Sequence, residues 1–165
     1  MIEFVFNLEM ILRLLIATAA GYAIGLERQI TGHPAGDRTF ALTALGACLF
    51  AVISTDAFPG ADSRVAAGVV TGLGFLGAGM ILKGEKQEVK GLTTAAGIWV
   101  AGGIGLAIGS GLYVIGLLSA ALAMFVLASE RILHVDARIA AWREARLRRQ
   151  AEKQAAIEQE NNLKQ

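Results

Sequence analysis

The sequence predicts an all-α, polytopic membrane protein: five transmembrane helices followed by a C-terminal cytoplasmic helix. Three observations predict it. The 165 residues are 55% hydrophobic, with a mean hydropathy of +0.55, which is too apolar for an ordinary soluble domain. The apolar residues are also segregated, filling residues 8–129 and giving way to charge from Glu130 onward. At ~17–25 residues per crossing, the apolar region is long enough for about five helices. A transmembrane domain over 1–130 and a basic helical tail over 131–165, fraying toward its end, follow from that division.

The first span is expected over residues 8–26. Ala17-Thr18-Ala19 imitates a signal-peptide cleavage site. Glu3 and Glu9 stand where a signal needs basic residues, so the run reads as a retained helix. Its one charge, Arg13, lies four residues after Glu9, the favourable order for a helical ion pair, and can snorkel toward the nearer surface. The second span, 39–55, is bounded by Asp37-Arg38 and Asp56, and the third, 65–82, by Arg64 and Lys83. Residues 91–129 carry no charge, too long a run for one span and about right for two. Gly109-Ser110-Gly111 is the natural break, where a tight turn costs least; a re-entrant pair is the alternative. In the tail, Ile132, Val135, Ile139 and Trp142 recur at helical spacing and give one apolar stripe.

Orientation follows from Lys and Arg near the span ends. With the N-terminus outside, Arg28, Arg38, Lys83, Lys86, Lys90 and the eight basic residues of the tail face the cytoplasm. Only Arg13 and Arg64 fall outside. An N-terminus outside and a C-terminus in the cytoplasm are therefore expected.

Glycine and charge mark the candidate functional positions. Gly68, Gly72, Gly74, Gly77 and Gly79 in the third span include a GxxxG step, which lets two helix backbones approach closely, within one chain or across a homodimer. The fourth span adds Gly97, Gly102, Gly103, Gly105 and Gly109. No proline interrupts any span, so close packing is favoured over a broken, ion-binding helix. Arg64, Thr93, Thr94 and Trp99 are expected to pack in the bundle interior, the Trp99 indole N–H seeking a partner there. Glu27-Arg28 closes the first span and Asp37-Arg38-Thr39 opens the second across a short turn. Charges at membrane depth are costly unless compensated, so this cluster is either functional or an interfacial salt-bridge staple. His33 reads as a solvated turn residue. A magnesium ion can be held by one or two carboxylates plus water, which makes Glu27, Asp37, Asp56 and Asp62 the candidate ligands. Asp62-Ser63 also fits an ordinary helix N-cap. The lone Cys48 lies in an apolar run and reads as inert packing.

No P-loop, HExxH, G-x-S-x-G or Cys/His array is present, so catalysis is not expected. Span interiors are nearly free of Asp, Glu and His, which argues against a pump built on buried carboxylates. The cluster Arg143, Arg146, Arg148 and Arg149 could hold anionic headgroups, but a topological anchor is the simpler reading.

Three ordered motifs carry a resemblance. They are Gly25-Leu26-Glu27-Arg28-Gln29 with Ala35-Gly36-Asp37-Arg38-Thr39, Ser63-Arg64-Val65-Ala66-Ala67 with residues 72–82, and residues 91–99 from Gly91-Leu92-Thr93-Thr94 to Trp99. The chain resembles the MgtC/SapB family over roughly residues 21–111. The resemblance implies a five-helix inner-membrane domain linked to magnesium homeostasis, growth at low magnesium and virulence, meaning survival of pathogens inside host cells. Some members are described as regulators of other membrane proteins. Asp37 departs from the apolar residue the family pattern favours, and a charged helix stands where many members continue into a soluble ACT-like domain. The expected function is a non-enzymatic modulator of another membrane complex, with the lipid bilayer, a second copy and that complex as partners, and no nucleic acid. A small-cation transporter with Glu27 or Asp37 at its inner mouth is the alternative. A lipid-binding role for the basic tail is a third.

Overall fold

The computed structural model describes residues 2–58, 60, 62–83, 89–132, 146 and 149. Five helices account for almost all of them: α1 (Ile2–Ile30), α2 (Asp37–Ala57), α3 (Asp62–Met80), α4 (Leu92–Gly109) and α5 (Tyr113–Ile132). Two-residue strands β1 (Leu82–Lys83) and β2 (Val89–Lys90) pair antiparallel between α3 and α4, Leu82 opposite Lys90. The third helix thus stops at Met80, short of the expected 82, because the chain turns there into this small ladder. At the ladder's exit Gly91 has φ +89°, and a Cβ there would run into the Met80 carbonyl, so the turn requires glycine.

Among the described residues, four helices are long and apolar enough to cross a membrane: Leu8–Ile30, Asp37–Thr55, Ser63–Met80 and Leu92–Gly109. The apolar part of the fifth, Tyr113–Ser129, is shorter. The expected break between the last two spans is present as a turn at Ser110-Gly111, where Gly111 has φ +81°. Cα packing divides the chain into Met1–Leu127 and Ala128–Gln165. The tail stripe beyond Ile132, Arg143 and Arg148 lie outside the described residues; Arg146 and Arg149 are helical.

Within the first unit, α4 is central and packs on α1, α2 and α3. Four-residue steps of small side chains explain this. Gly97, Gly105 and Gly109 on α4 meet Phe40, Ala44 and Cys48 on α2; at Gly109 an added Cβ would lie 2.6 Å from the Cys48 carbonyl oxygen. On α1, Gly21 sits against the Phe40 carbonyl and Ala44, and Gly25 against Gly36 and Asp37. Such contacts bring backbones together where no side chain intervenes, the usual solution for helix association in lipid. Ala17, Phe40, Ala44, Cys48, Ala101 and Ile108 are consequently sealed from solvent.

The pairings also fix direction. Positions 97, 105 and 109 meet 40, 44 and 48 in rising order, so α2 and α4 run parallel. Gly21 and Gly25 meet 40–44 and 36–37 in falling order, so α1 and α2 are antiparallel. Gly77 approaches Ala95 and Leu73 fills the space at Gly102, which sets α3 antiparallel to α4. Gly116 meets Ile108 near the end of α4, while the second half of α5 shares a groove with the first half of α4, so α5 is antiparallel to α4 as well. Five alternating crossings need this set of directions.

Candidate functional site

Two polar clusters close the ends of the helix unit. At one end Arg13 reaches from α1 to the α4–α5 turn. Its Nη1 donates to the Gly109 carbonyl at 2.8 Å, Nε donates to the Tyr113 hydroxyl at 3.2 Å, and Nη2 pairs with Glu9 Oε1 at 2.5 Å. The Tyr113 hydroxyl in turn donates to Glu9 at 3.2 Å. The guanidinium also lies 5.9 Å from the centre of the Tyr113 ring. Arg13 therefore ties three elements together instead of snorkelling outward.

The other end holds Glu27, Arg28, Asp37, Arg38 and Thr39. Arg28 continues the inward stripe of Ala17, Gly21 and Ile24, and it is 1% exposed. Nη1 lies 3.7 Å from Glu27 Oε2, an ion pair without a hydrogen bond. Arg28 Nε and Nη2 and Glu27 Oε2 are buried with no hydrogen-bond partner. The guanidinium cannot shed its charge, so this end of α1 buries a cation with two donors unused. Its position in the last helical turn is favourable with respect to the helix dipole.

The segment after α1 folds back over this end. His33 N–H and the Thr31 hydroxyl donate to the Arg28 carbonyl, and Thr31 Oγ1 lies 2.9 Å from His33 Nδ1. Ala35 is buried. Gln29 fits against Gly36, where a Cβ would come within 2.5 Å of its Oε1, and that oxygen accepts from the Asp37 N–H at 3.4 Å. Asp37 Oδ1 accepts from the Arg38 N–H at 2.7 Å, satisfying one free donor of the α2 start. Gln29, Gly36, Asp37, Arg38 and Thr39 line an open polar concavity.

The expected cluster is thus divided. Glu27 and Arg28 go inward, while Asp37, Arg38 and Thr39 stay at the rim. Among the described residues no ion pair joins the two helix ends, so the salt-bridge staple is replaced by Gln29 and by the close approach at Gly25. Nor do the described residues hold a group of three or more His, Cys, Asp or Glu side chains able to bind a metal ion. The side chains of Asp56 and Asp62, the other expected ligands, lie outside the described set.

Several positions expected in the bundle interior face outward. Trp99 is 51% exposed, so it does not pack between helices of the chain. Arg64 and Thr93 are exposed, whereas Thr94 is buried at 1%. A Cβ at Gly68, Gly72, Gly74 or Gly79 would meet nothing; of the third-span glycines only Gly77 touches a neighbour, Ala95. In the fourth span Gly103 is likewise open. Among the described residues, the GxxxG face of α3 therefore packs against no other helix. With Leu42, Gly46 and Phe50 of α2 it borders a shallow apolar groove.

Comparison with known proteins places this fold. A family model described as the MgtC family matches residues 14–135. The chain belongs to the MgtC family. "Putative magnesium transporter YhiD" of Escherichia coli (strain K12) is 47% identical over 128 residues, covering 72% of this chain and 59% of YhiD. Protein SrpB of Synechococcus elongatus is 45% identical over 120 residues, 64% of this chain and 66% of SrpB. Protein MgtC of Salmonella typhimurium (strain LT2) is 48% identical over 101 residues, 61% of this chain and 43% of MgtC. The chain thus spans about three fifths of YhiD and less than half of MgtC. No solved structure matches it.

For this MgtC family member, four contributors escaped the sequence reading. Gly21 and Gly25 make a GxxxG step on α1 that was legible from spacing alone. Gln29 stands inside the first motif, beside the charges that drew attention. Tyr113 is 100 residues from Arg13 in sequence, and no local pattern announces that contact.

Proposed function

We propose that this multi-pass MgtC family chain serves magnesium homeostasis in a bacterial inner membrane as a non-enzymatic modulator of another membrane complex. The observation that carries this reading is the contrast between its two glycine faces. The α1–α2–α4 core is closed by backbone contacts at Gly21, Gly25, Gly105 and Gly109, while Gly68 and Gly72 present a small-residue face outward. A closed core favours binding at the periphery over conduction through the chain, and small residues are what a second membrane helix needs for close approach. The name of the relative YhiD, "Putative magnesium transporter", supports the link to magnesium.

In-cell crosslinking from a photoreactive residue at position 72, followed by identification of adducts, tests the reading. Adducts with a distinct membrane complex are expected. Recovery of this chain alone would contradict it and leave a homodimer as the function of that face.

A small-cation transporter is the second reading, favoured by one feature: the buried carboxylate oxygen Glu27 Oε2, which has no hydrogen-bond partner. A path using it would open at the Arg28 end and require transport to fail when Glu27 is neutralised.

A further inference from the structure

The first turn of α5 is fastened to the bundle by Arg13. α4 stops in a glycine-capped turn, where Gly111 N–H donates to the Ile108 carbonyl at 3.0 Å and Leu112 N–H to the Ala107 carbonyl at 2.8 Å. The Gly116 N–H then donates to the Leu112 carbonyl and starts α5, so two separate rods meet at Leu112. On the α4 side of this joint, Gly109 is seated against the Cys48 backbone. Arg13 bridges the joint itself. It donates to the Gly109 carbonyl of one rod and to the Tyr113 hydroxyl of the other, and a Cβ at Gly111 would lie 3.5 Å from its Nη2. One turn on, Gly116 meets Ile108. These anchors fall within residues 113–116.

Further along, α5 parts from α4. Among the described residues the close helix pairs all lie within α1 to α4, and α5 belongs to none of them. A groove of about 360 Å³ separates its second half from the first half of α4, with Ala96 and Val100 on one wall and Leu122 and Ala123 on the other. Past residue 116, Ala120 and Leu127 are the buried side chains among those described, whereas Leu117, Leu118, Leu122, Phe125 and Val126 are exposed. Lipid tails accommodate such side chains as well as protein does, so the bilayer does not press this half of the helix onto α4. Few buried contacts beyond a fixed point are what let one element move while the rest of a fold stays closed. We infer that α5 is a hinged helix that pivots at Leu112, with Arg13 as its clasp, so that its second half closes and opens the groove beside α4.

Double electron-electron resonance on the full chain in lipid nanodiscs tests this, in a Cys48→Ala background. Nitroxides are placed through Phe75→Cys with Phe125→Cys, and through Phe75→Cys with Val114→Cys; all three positions are exposed. The two pairs share the label on α3 and differ in which end of α5 they report. Position 125 lies about 20 Å down the helix from Leu112, so a tilt of about 15° moves it by about 5 Å and leaves position 114 nearly still. The 75–125 distances should therefore spread about 5 Å more widely than the 75–114 distances. Tyr113→Phe removes the hydroxyl that Arg13 holds and should broaden both distributions, with circular dichroism confirming the fold. Equally narrow distributions for the two pairs would overturn the hinge, and unchanged widths in folded Tyr113→Phe would overturn the role of Arg13 as its clasp. Should that variant not fold, the two parent pairs decide.

Discussion

Arg13 and Arg28 stand on the same helix in opposite circumstances. The first spends its donors on Glu9, the Gly109 carbonyl and Tyr113, whereas the second is buried with Nε and Nη2 unbonded. Methionine substitutions should separate them. Arg13→Met is expected to destabilise the protein by about 1–3 kcal/mol, because it strands the groups it now satisfies. Arg28→Met removes one partner of a buried ion pair and leaves Glu27 Oε2 without its counter-charge, so it should cost more, about 3–5 kcal/mol. Thermal unfolding followed by circular dichroism reads both. The Glu9–Arg13 pair was legible because four-residue spacing places the two side chains together on any helix. The burial of Arg28 was not legible. A charge in the last turn of a span ordinarily sits in the headgroups, whereas here the chain folds back, with His33 and Thr31 donating to the Arg28 carbonyl, and the side chain is 1% exposed.

Among the helices, the decisive question is which glycines face protein. Gly105→Ala and Gly109→Ala should each cost about 1–3 kcal/mol, because the new methyl meets the backbone of Ala44 or Cys48 and a helix must move. Gly68→Ala and Gly72→Ala meet open space and should leave the unfolding midpoint of the isolated chain unchanged, while reducing adducts with a partner. A midpoint that falls equally in all four variants would contradict the assignment of faces. The number of helices and the break at Ser110-Gly111 were readable from apolar run lengths. The faces were not, and Trp99 was placed inside for the same reason. In water, burial leaves a contrast of polar and apolar sides along a helix; in lipid both sides are apolar, so periodicity carries little information. Gly21 and Gly25, packed against α2, show that GxxxG spacing marks a capacity for close approach without naming the partner.

For the whole molecule, the alternating helix directions put the α1–α2 turn and the β1–β2 ladder on one side of the membrane. The segment between α2 and α3 and the turn between α4 and α5 lie on the other. From the distribution of Lys and Arg we propose that the first side is the cytoplasmic one. In a Cys48→Ala background, a cysteine at Gly60 should react with a membrane-impermeant maleimide in intact cells, and one at Lys86 only after permeabilisation. The reverse pattern would invert the orientation.

The central claim, that this chain modulates and does not conduct, is tested most directly by magnesium flux in liposomes carrying the purified, folded and inserted protein. Flux no greater than that of empty liposomes is the predicted result, for the parent chain and for Glu27→Gln and Asp37→Asn alike. Flux above that level, lost when Glu27 or Asp37 is neutralised, would contradict the claim and put that carboxylate on a transport path.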